Sequence, residues 1–300
     1  MSWQPIVVGV DASPEAAEAA AFAWRTAERA GTTCQLVHAT RDFIEPLVVP
    51  DAATYRQAVA DLAAVSVKEA LRGKVPASIV DSLIVQFGHT AAVLKQVASG
   101  VGAEVVVLGG KHRSSLGRWF AGSSSLGVAR TTAVPMLVTA GAPTAIRRVL
   151  VAVDVSGAAP LTLAAAERFA GLFGAELRAL SVLEPLPVIP EFGRSPDSTA
   201  YYALIEDLLR REVWPLITAP GVETLTRHGM AVETILREVT EWQADLLVVG
   251  SHGRSWAERV LVGSVTERLL NHLPTSLVVV PVTSAQLVES AAATHAAASA

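Results

Sequence analysis

The sequence predicts an α/β protein of two tandem, doubly wound open domains, each a five-stranded, mostly parallel sheet with helices on both faces. Three observations carry that prediction. The chain repeats itself: Ile6-Val7-Val8-Gly9-Val10-Asp11-Ala12-Ser13 corresponds to Val149-Leu150-Val151-Ala152-Val153-Asp154-Val155-Ser156. A glycine pattern, Gly250-Ser251-His252-Gly253 followed by Gly263-Ser264, has an imperfect copy 141 positions earlier, with Gly109, His112, Gly122 and Ser123 in the equivalent places. Within each half, short apolar runs alternate with longer amphipathic stretches, the pattern of βαβ units around a parallel sheet.

Strands are expected near 5–10, 34–39, 80–86, 104–109 and 135–139, and again near 147–153, 176–182, 222–227, 245–250 and 276–281. The first helix has a marked start, because Ser13 can cap it, Pro14 suits the first helical position and Glu15 complements the dipole. Gly31 is its expected stop. In the second half Ser156 is the expected cap, Pro160 lies near the start and Gly174 supplies the stop. After the second strand of each half comes a proline-containing excursion, Arg41 to Tyr55 and Glu184 to Ala200, expected to leave the sheet as a loop. These excursions are candidate cleft walls, or simple surface connections. The resulting boundaries are a Rossmann-like first domain at 1–141, a linker at 142–146, a second domain at 147–283 and a frayed tail at 284–300.

A chain of 300 residues that is 51% hydrophobic can bury two ordinary cores. Cys34 is the single cysteine, so no internal disulfide exists, and the N-terminus lacks the pattern of a secretion signal. Both features lead to the expectation of a cytoplasmic protein. The apolar stretches are broken by Gly and Pro well short of the roughly 20 residues of a membrane helix, so no membrane span is expected. A net charge of −4 provides no basic field for a nucleic-acid backbone. A small anion held by backbone donors remains compatible.

Each glycine segment follows a buried-looking run, Val105–Leu108 or Leu246–Val249. A strand leading into a glycine turn and then a helix presents converging backbone N–H groups to a phosphate. Glycine there removes the Cβ that would block approach and permits positive φ. Gly250 and Gly253 are the expected turn, with Gly263-Ser264 opening the next helix toward the same anion. Ordinary turn chemistry is the alternative for any isolated glycine pair. The spacing G-x2-G-x9-G-S, its near-copy and the preceding strands favour the phosphate loop.

On these residues the chain resembles a tandem-domain universal stress protein of the ATP-binding type, and the similarity covers about residues 5–140 and 147–282. The resemblance implies ATP as ligand, with Mg²⁺ carried on the phosphates. It places the first site at Gly9, Val10, Asp11 and Ala39 with Gly109, His112, Arg113, Gly122, Ser123 and Ser124. The second is at Ala152, Val153, Asp154 and Val182 with Gly250, Gly253, Arg254, Gly263, Ser264, Val265 and Thr266. Ala39 and Val182 would recognise adenine through their backbone. The resemblance also implies that the closing strands pair between domains, giving an internal pseudo-dimer or a homo-oligomer.

The first half departs from the family pattern where His112 replaces the second glycine. A His adopts positive φ at a cost, and its ring takes space that phosphates would use. Lys111, His112 and Arg113 could instead contact phosphates through side chains, and a degenerate, purely structural half is the alternative. Asp11 and Asp154 can order the turns that follow them as well as line a ligand edge. Ser124, Ser125 and Thr266 combine helix capping with phosphate contact, and Arg254 could meet a phosphate directly. His38 shows no metal-ligand spacing and reads as structural. No Walker loop, nucleophile elbow or carboxylate-rich metal cluster is present in the sequence. The function expected is therefore an ATP-dependent regulatory protein with an unidentified protein partner. A slow ATPase or nucleotidyl transferase and a nucleotide-independent scaffold are the alternatives.

Overall fold

A computed structural model describes residues 2–41, 52–113, 118–142, 145–186, 198–252 and 262–282, with backbone alone at 112–113 and 118–120. The chain divides into two compact units, Met1–Thr144 with Leu270–Ser276 and Ala145–Leu269 with Leu277–Ala300.

The first unit builds its sheet from β1 (Ile6–Gly9), β2 (Cys34–Thr40), β3 (Ile84–Phe87), β4 (Val105–Gly109) and, after a hairpin, β7 (Met136–Thr139). The spatial order is β7-β4-β1-β2-β3, and every neighbouring pair is parallel. Ile6–Val8 and Val105–Leu108 are buried along their length. Continuous apolar strands are what a sheet covered on both faces requires. Connections from β1 to β2 and β2 to β3 run one way across the sheet, and that from β3 to β4 runs back. Right-handed crossovers therefore put α1 (Pro14–Ala30), α2 (Ala52–Leu71) and α3 (Ala77–Asp81) on one face, and α4 (Thr90–Val101) and α5 (Gly122–Thr131) on the other.

α1 begins and ends as its sequence predicts. The Ser13 hydroxyl accepts the Ala16 N–H, Pro14 occupies the first turn, and Gly31 closes the helix at φ 65°. The third strand does not begin at residue 80, because α3 occupies Ala77–Asp81 behind Pro76. The excursion after β2 is also shorter than expected. Ala52–Tyr55 are the first turn of α2, while 42–51 lie outside the described residues.

The segment after β4, expected as a glycine loop, is an antiparallel ribbon. β5 (Lys111–Arg113) pairs with β6 (Arg118–Phe120), placing His112 opposite Trp119 and Arg113 opposite Arg118. Three residues on each side suffice for pairing, and β-propensity at Trp119-Phe120 favours it.

The second unit has β8 (Arg148–Ala152), β9 (Glu176–Leu183), β10 (Glu223–His228), β11 (Leu246–Gly250) and β12 (Ser276–Val280), in the order β10-β9-β8-β11-β12. Its helices are α6 (Ala159–Phe173), α7 (Ser198–Leu208), α8 (Ala231–Trp242) and α9 (Ser264–Asn271). Ser156 is not the cap of α6: the helix opens after Ala158, which offers no side-chain cap. Ser156 belongs instead to the turn ordered by Asp154. Gly174 stops α6 at φ 64°, as expected. Ser198–Ala200, assigned to the second excursion, already belong to α7, and 187–197 lie outside the described residues. So do 143–144 of the linker, residue 283 and the whole expected tail, 284–300.

Candidate functional site

In a sheet of order 3-2-1-4-5 the chain turns in opposite directions from the two central strands, and their carboxyl ends open a crevice. Gly9 and Gly109 stand at that edge in the first domain, Ala152 and Gly250 in the second.

The second-domain crevice is a cavity of about 380 Å³, within the range of small-molecule sites. Among the predicted residues, Ala152, Val153, Asp154, Val182, Gly250, Gly263, Ser264, Val265 and Thr266 line it. Gly253 and Arg254 lie outside the described residues. The wall also includes Leu180, Glu184, Tyr201, Ala231, Ile235 and His252. His252 lies within the glycine pattern itself, but no periodicity pointed to Tyr201 or Ile235.

Asp154 is held by its own turn. Its Oδ1 accepts the Ser156 N–H at 3.1 Å and the Ser156 hydroxyl. Gly250 is glycine for space rather than for positive φ: a Cβ there would lie 3.2 Å from Thr162 Oγ1 and from the His252 carbonyl oxygen. The Gly263 N–H donates to the Ser251 carbonyl at 2.7 Å, so this amide fixes the loop closure. Thr266 likewise spends its hydroxyl proton within the fold, donating to the Gly250 carbonyl at 2.7 Å. The amides of the first turn of α9 remain as the donors that a helix start leaves for an anion.

Ser251 is buried, and its hydroxyl oxygen accepts the Val282 N–H at 3.0 Å. His252 Nδ1 lies 3.0 Å from the same hydroxyl, which leaves Nε2 as the other polar atom of the ring. That Nε2 is buried and has no hydrogen-bond partner among the described residues. An unpartnered ring nitrogen on a cavity-lining residue is a polar atom that a ligand can satisfy.

The first-domain crevice encloses about 160 Å³ and is lined by Gly9, Val10, Asp11, Ala39, Gly109, Gly122, Ser123 and Ser124 among the predicted residues. The side chains of His112 and Arg113 are outside what the structure describes, although their backbone is in β5. Asp11 repeats the turn of Asp154, its Oδ1 accepting the Ser13 N–H at 3.0 Å. His38 Nδ1 lies 2.7 Å from the Val10 carbonyl oxygen, the structural role expected of it, and the residue also lines the cavity. Gly109 has a packing reason to be glycine. A Cβ would sit 2.7 Å from the Glu15 carbonyl oxygen at the start of α1. Gly122 opens α5 at φ 77°, the conformation for which glycine was expected. Ser125 donates to the Ala121 carbonyl at 2.7 Å and so braces α5 on itself. Neither domain shows a group of three or more His, Cys, Asp or Glu placed to hold a metal among the described residues. No helix among those residues is long and apolar enough to cross a membrane.

Comparison with known proteins agrees with this architecture. The profile of the Universal stress protein family matches residues 2–140 and 145–281. A universal stress protein of Mycolicibacterium smegmatis is 28% identical over 292 residues, covering 92% of this chain and 96% of that protein. One of Mycobacterium tuberculosis strain H37Rv is 28% identical over 284 residues, covering 89% and 93%. Among solved structures, a universal stress protein from Archaeoglobus fulgidus superposes with a TM-score of 0.64 at 17% identity, covering 92% of this chain and 98% of that one. A putative universal stress protein from Pseudomonas aeruginosa gives 0.60 at 18% identity, covering 96% of each. With the family profile met twice, once in each α/β domain, the chain belongs to the universal stress protein family as a tandem-domain member.

Proposed function

We propose that this protein binds ATP in its second domain and acts as a nucleotide-dependent regulatory protein in stress or growth control. The observation that carries the reading is the second-domain cavity, where Asp154, the Val182 strand end, Gly250 and the start of α9 meet around about 380 Å³. The triphosphate would lie toward Ser264, Val265 and His252, with Mg²⁺ riding on its oxygens rather than on a protein cage. The adenine would lie toward Val182.

The first domain supports a lesser role. Its cavity of about 160 Å³ falls below the roughly 300 Å³ at which small-molecule sites begin. The same reading places the protein in the cytoplasm, as a homo-oligomer whose nucleotide occupancy selects a protein partner.

Mass spectrometry of nucleotide released on denaturing freshly purified protein tests the proposal. The expected result is about one adenine nucleotide per chain, the capacity of one cavity of small-molecule size. Release of none, together with no ATP uptake on titration, would overturn it.

A further inference from the structure

The two cavities share a glycine end and differ at the other. In the second domain the wall continues through Glu184, Pro185 and Leu186 after β9, Tyr201 on α7, and Ala231 and Ile235 on α8. In the first it ends at Val37–Ala39 and Thr90, and among the described residues α2 contributes nothing. This added arm accompanies the difference between about 380 and about 160 Å³.

The arm is fixed in place by contacts outside the cavity. Glu184 Oε1 accepts the Ala231 N–H at 2.9 Å, tying the chain that leaves β9 to the start of α8. Tyr202 meets His228 edge-on with ring centres 4.6 Å apart, which braces α7 against the end of β10. His228 Nε2 in turn lies 3.6 Å from Glu206 Oε1 on α7 itself. Tyr201 is half-buried with its ring centre 5.7 Å from that of Tyr202. A tyrosine has two side-chain torsions to order, and here its helix is already held, so its ring meets a ligand at small entropic cost.

Charge sets the direction of a ligand across this cavity. The α9 amides favour anionic oxygens at one end. Glu184, bonded to the start of α8, brings a carboxylate to the arm that Leu186, Ile235 and Tyr201 also line. A molecule with a phosphate and an uncharged planar ring can satisfy both ends only with the ring in the arm.

We propose that Tyr201 is a specificity-determining residue of the second domain, packing its ring on the nucleobase of the bound nucleotide. Among the described residues the first cavity has no counterpart of this arm, so base-dependent binding is assigned to the second domain. The inference rests on the nucleotide reading above and adds to it the residue that distinguishes a nucleotide from a bare polyphosphate.

The test is equilibrium dialysis of labelled ATP against the full chain, with inorganic tripolyphosphate as competitor, for wild type, Tyr201→Leu and Tyr201→Phe. Leu keeps apolar bulk without an aromatic face. Its ATP affinity is expected to fall roughly tenfold, the scale of one base–aromatic stack. Tripolyphosphate should compete equally well for wild type and the Leu variant, and Tyr201→Phe should restore ATP affinity. Undiminished ATP binding by Tyr201→Leu would overturn this inference and leave the nucleotide site standing. Equal losses of ATP and tripolyphosphate affinity would overturn it too, as damage to the whole pocket. A wild type that takes up no ATP would overturn both readings.

Discussion

The Thr266 hydroxyl donates to the carbonyl oxygen of Gly250 at 2.7 Å, fastening the first turn of α9 to the end of β11. The equivalent Ser125 donates instead to Ala121, within its own helix segment. The second domain thus clamps α9 to the sheet, whereas the equivalent hydroxyl in the first domain braces only the helix.

Replacing Thr266 with Val keeps the shape and leaves the part-buried Gly250 carbonyl without this donor, so stability should fall by about 1 kcal/mol. Nucleotide affinity should fall as well, since the α9 amides lose their anchor. Urea unfolding followed by ATP titration measures both; unfolding midpoints equal to wild type would show that the clamp is energetically idle.

Gly109→Ala should be costly, because the new Cβ would meet the Glu15 backbone at 2.7 Å and neither the strand nor α1 can yield easily. A loss of about 1–3 kcal/mol is expected from such overpacking. Gly100→Ala in α4, where nothing lies within 4 Å of the added methyl, should instead stabilise by about 0.5–1 kcal/mol. Opposite shifts in melting temperature are the expected result, and a tolerated Gly109→Ala would contradict the packing account.

Glu238 is buried at 5% exposure and is met by Arg178 at 2.8 Å and Arg227 at 3.6 Å. The Arg178 guanidinium also lies over the Trp242 ring at 4.4 Å. Arg178→Met strands the carboxylate next to a weaker partner and should cost about 3 kcal/mol. Adding Glu238→Gln to that variant should recover part of the loss. A double variant no more stable than Arg178→Met would mean that packing on Trp242, rather than the charge pair, holds the contact.

Burial pushes the Cys34 thiol up to about 12. The folded state therefore holds the proton that an unfolded thiol releases near about pH 8.5. The stability from this group is complete below that pH and is lost as pH rises toward 12. Native protein should resist iodoacetamide at pH 8 and react fully once unfolded in urea. Rapid labelling of the native chain would refute the burial.

Much of the architecture was legible because the relevant physics is local. Ser13, Pro14 and Gly31 bound α1 through caps and φ preferences that need no partner, and Val105–Leu108 announces a strand buried on both faces. Ser156 was misread for the same reason: a Ser before a helical stretch satisfies the local capping rule, and only the turn held by Asp154 diverts it. The ribbon formed by Lys111–Arg113 and Arg118–Phe120 depends on two short segments finding each other, which neither segment signals alone. Among the candidate site residues, the glycines and aspartates were visible through their repeat. Tyr201 and Ile235 were not, because their place in the cavity wall depends on how α7 and α8 pack against the sheet.

By itself the sequence determined that two copies of one βαβ domain exist, where their strands end, and which glycines and aspartates gather at those ends. Periodicity, caps and spacing are properties of neighbouring residues, so a linear chain displays them. Only the tertiary structure decided that the two crevices are unequal, that Gly109 and Gly250 are small to admit neighbouring atoms, and that Thr266 serves the fold. Those facts depend on distances between segments far apart in the chain, which are set when helices and strands pack into the same limited volume.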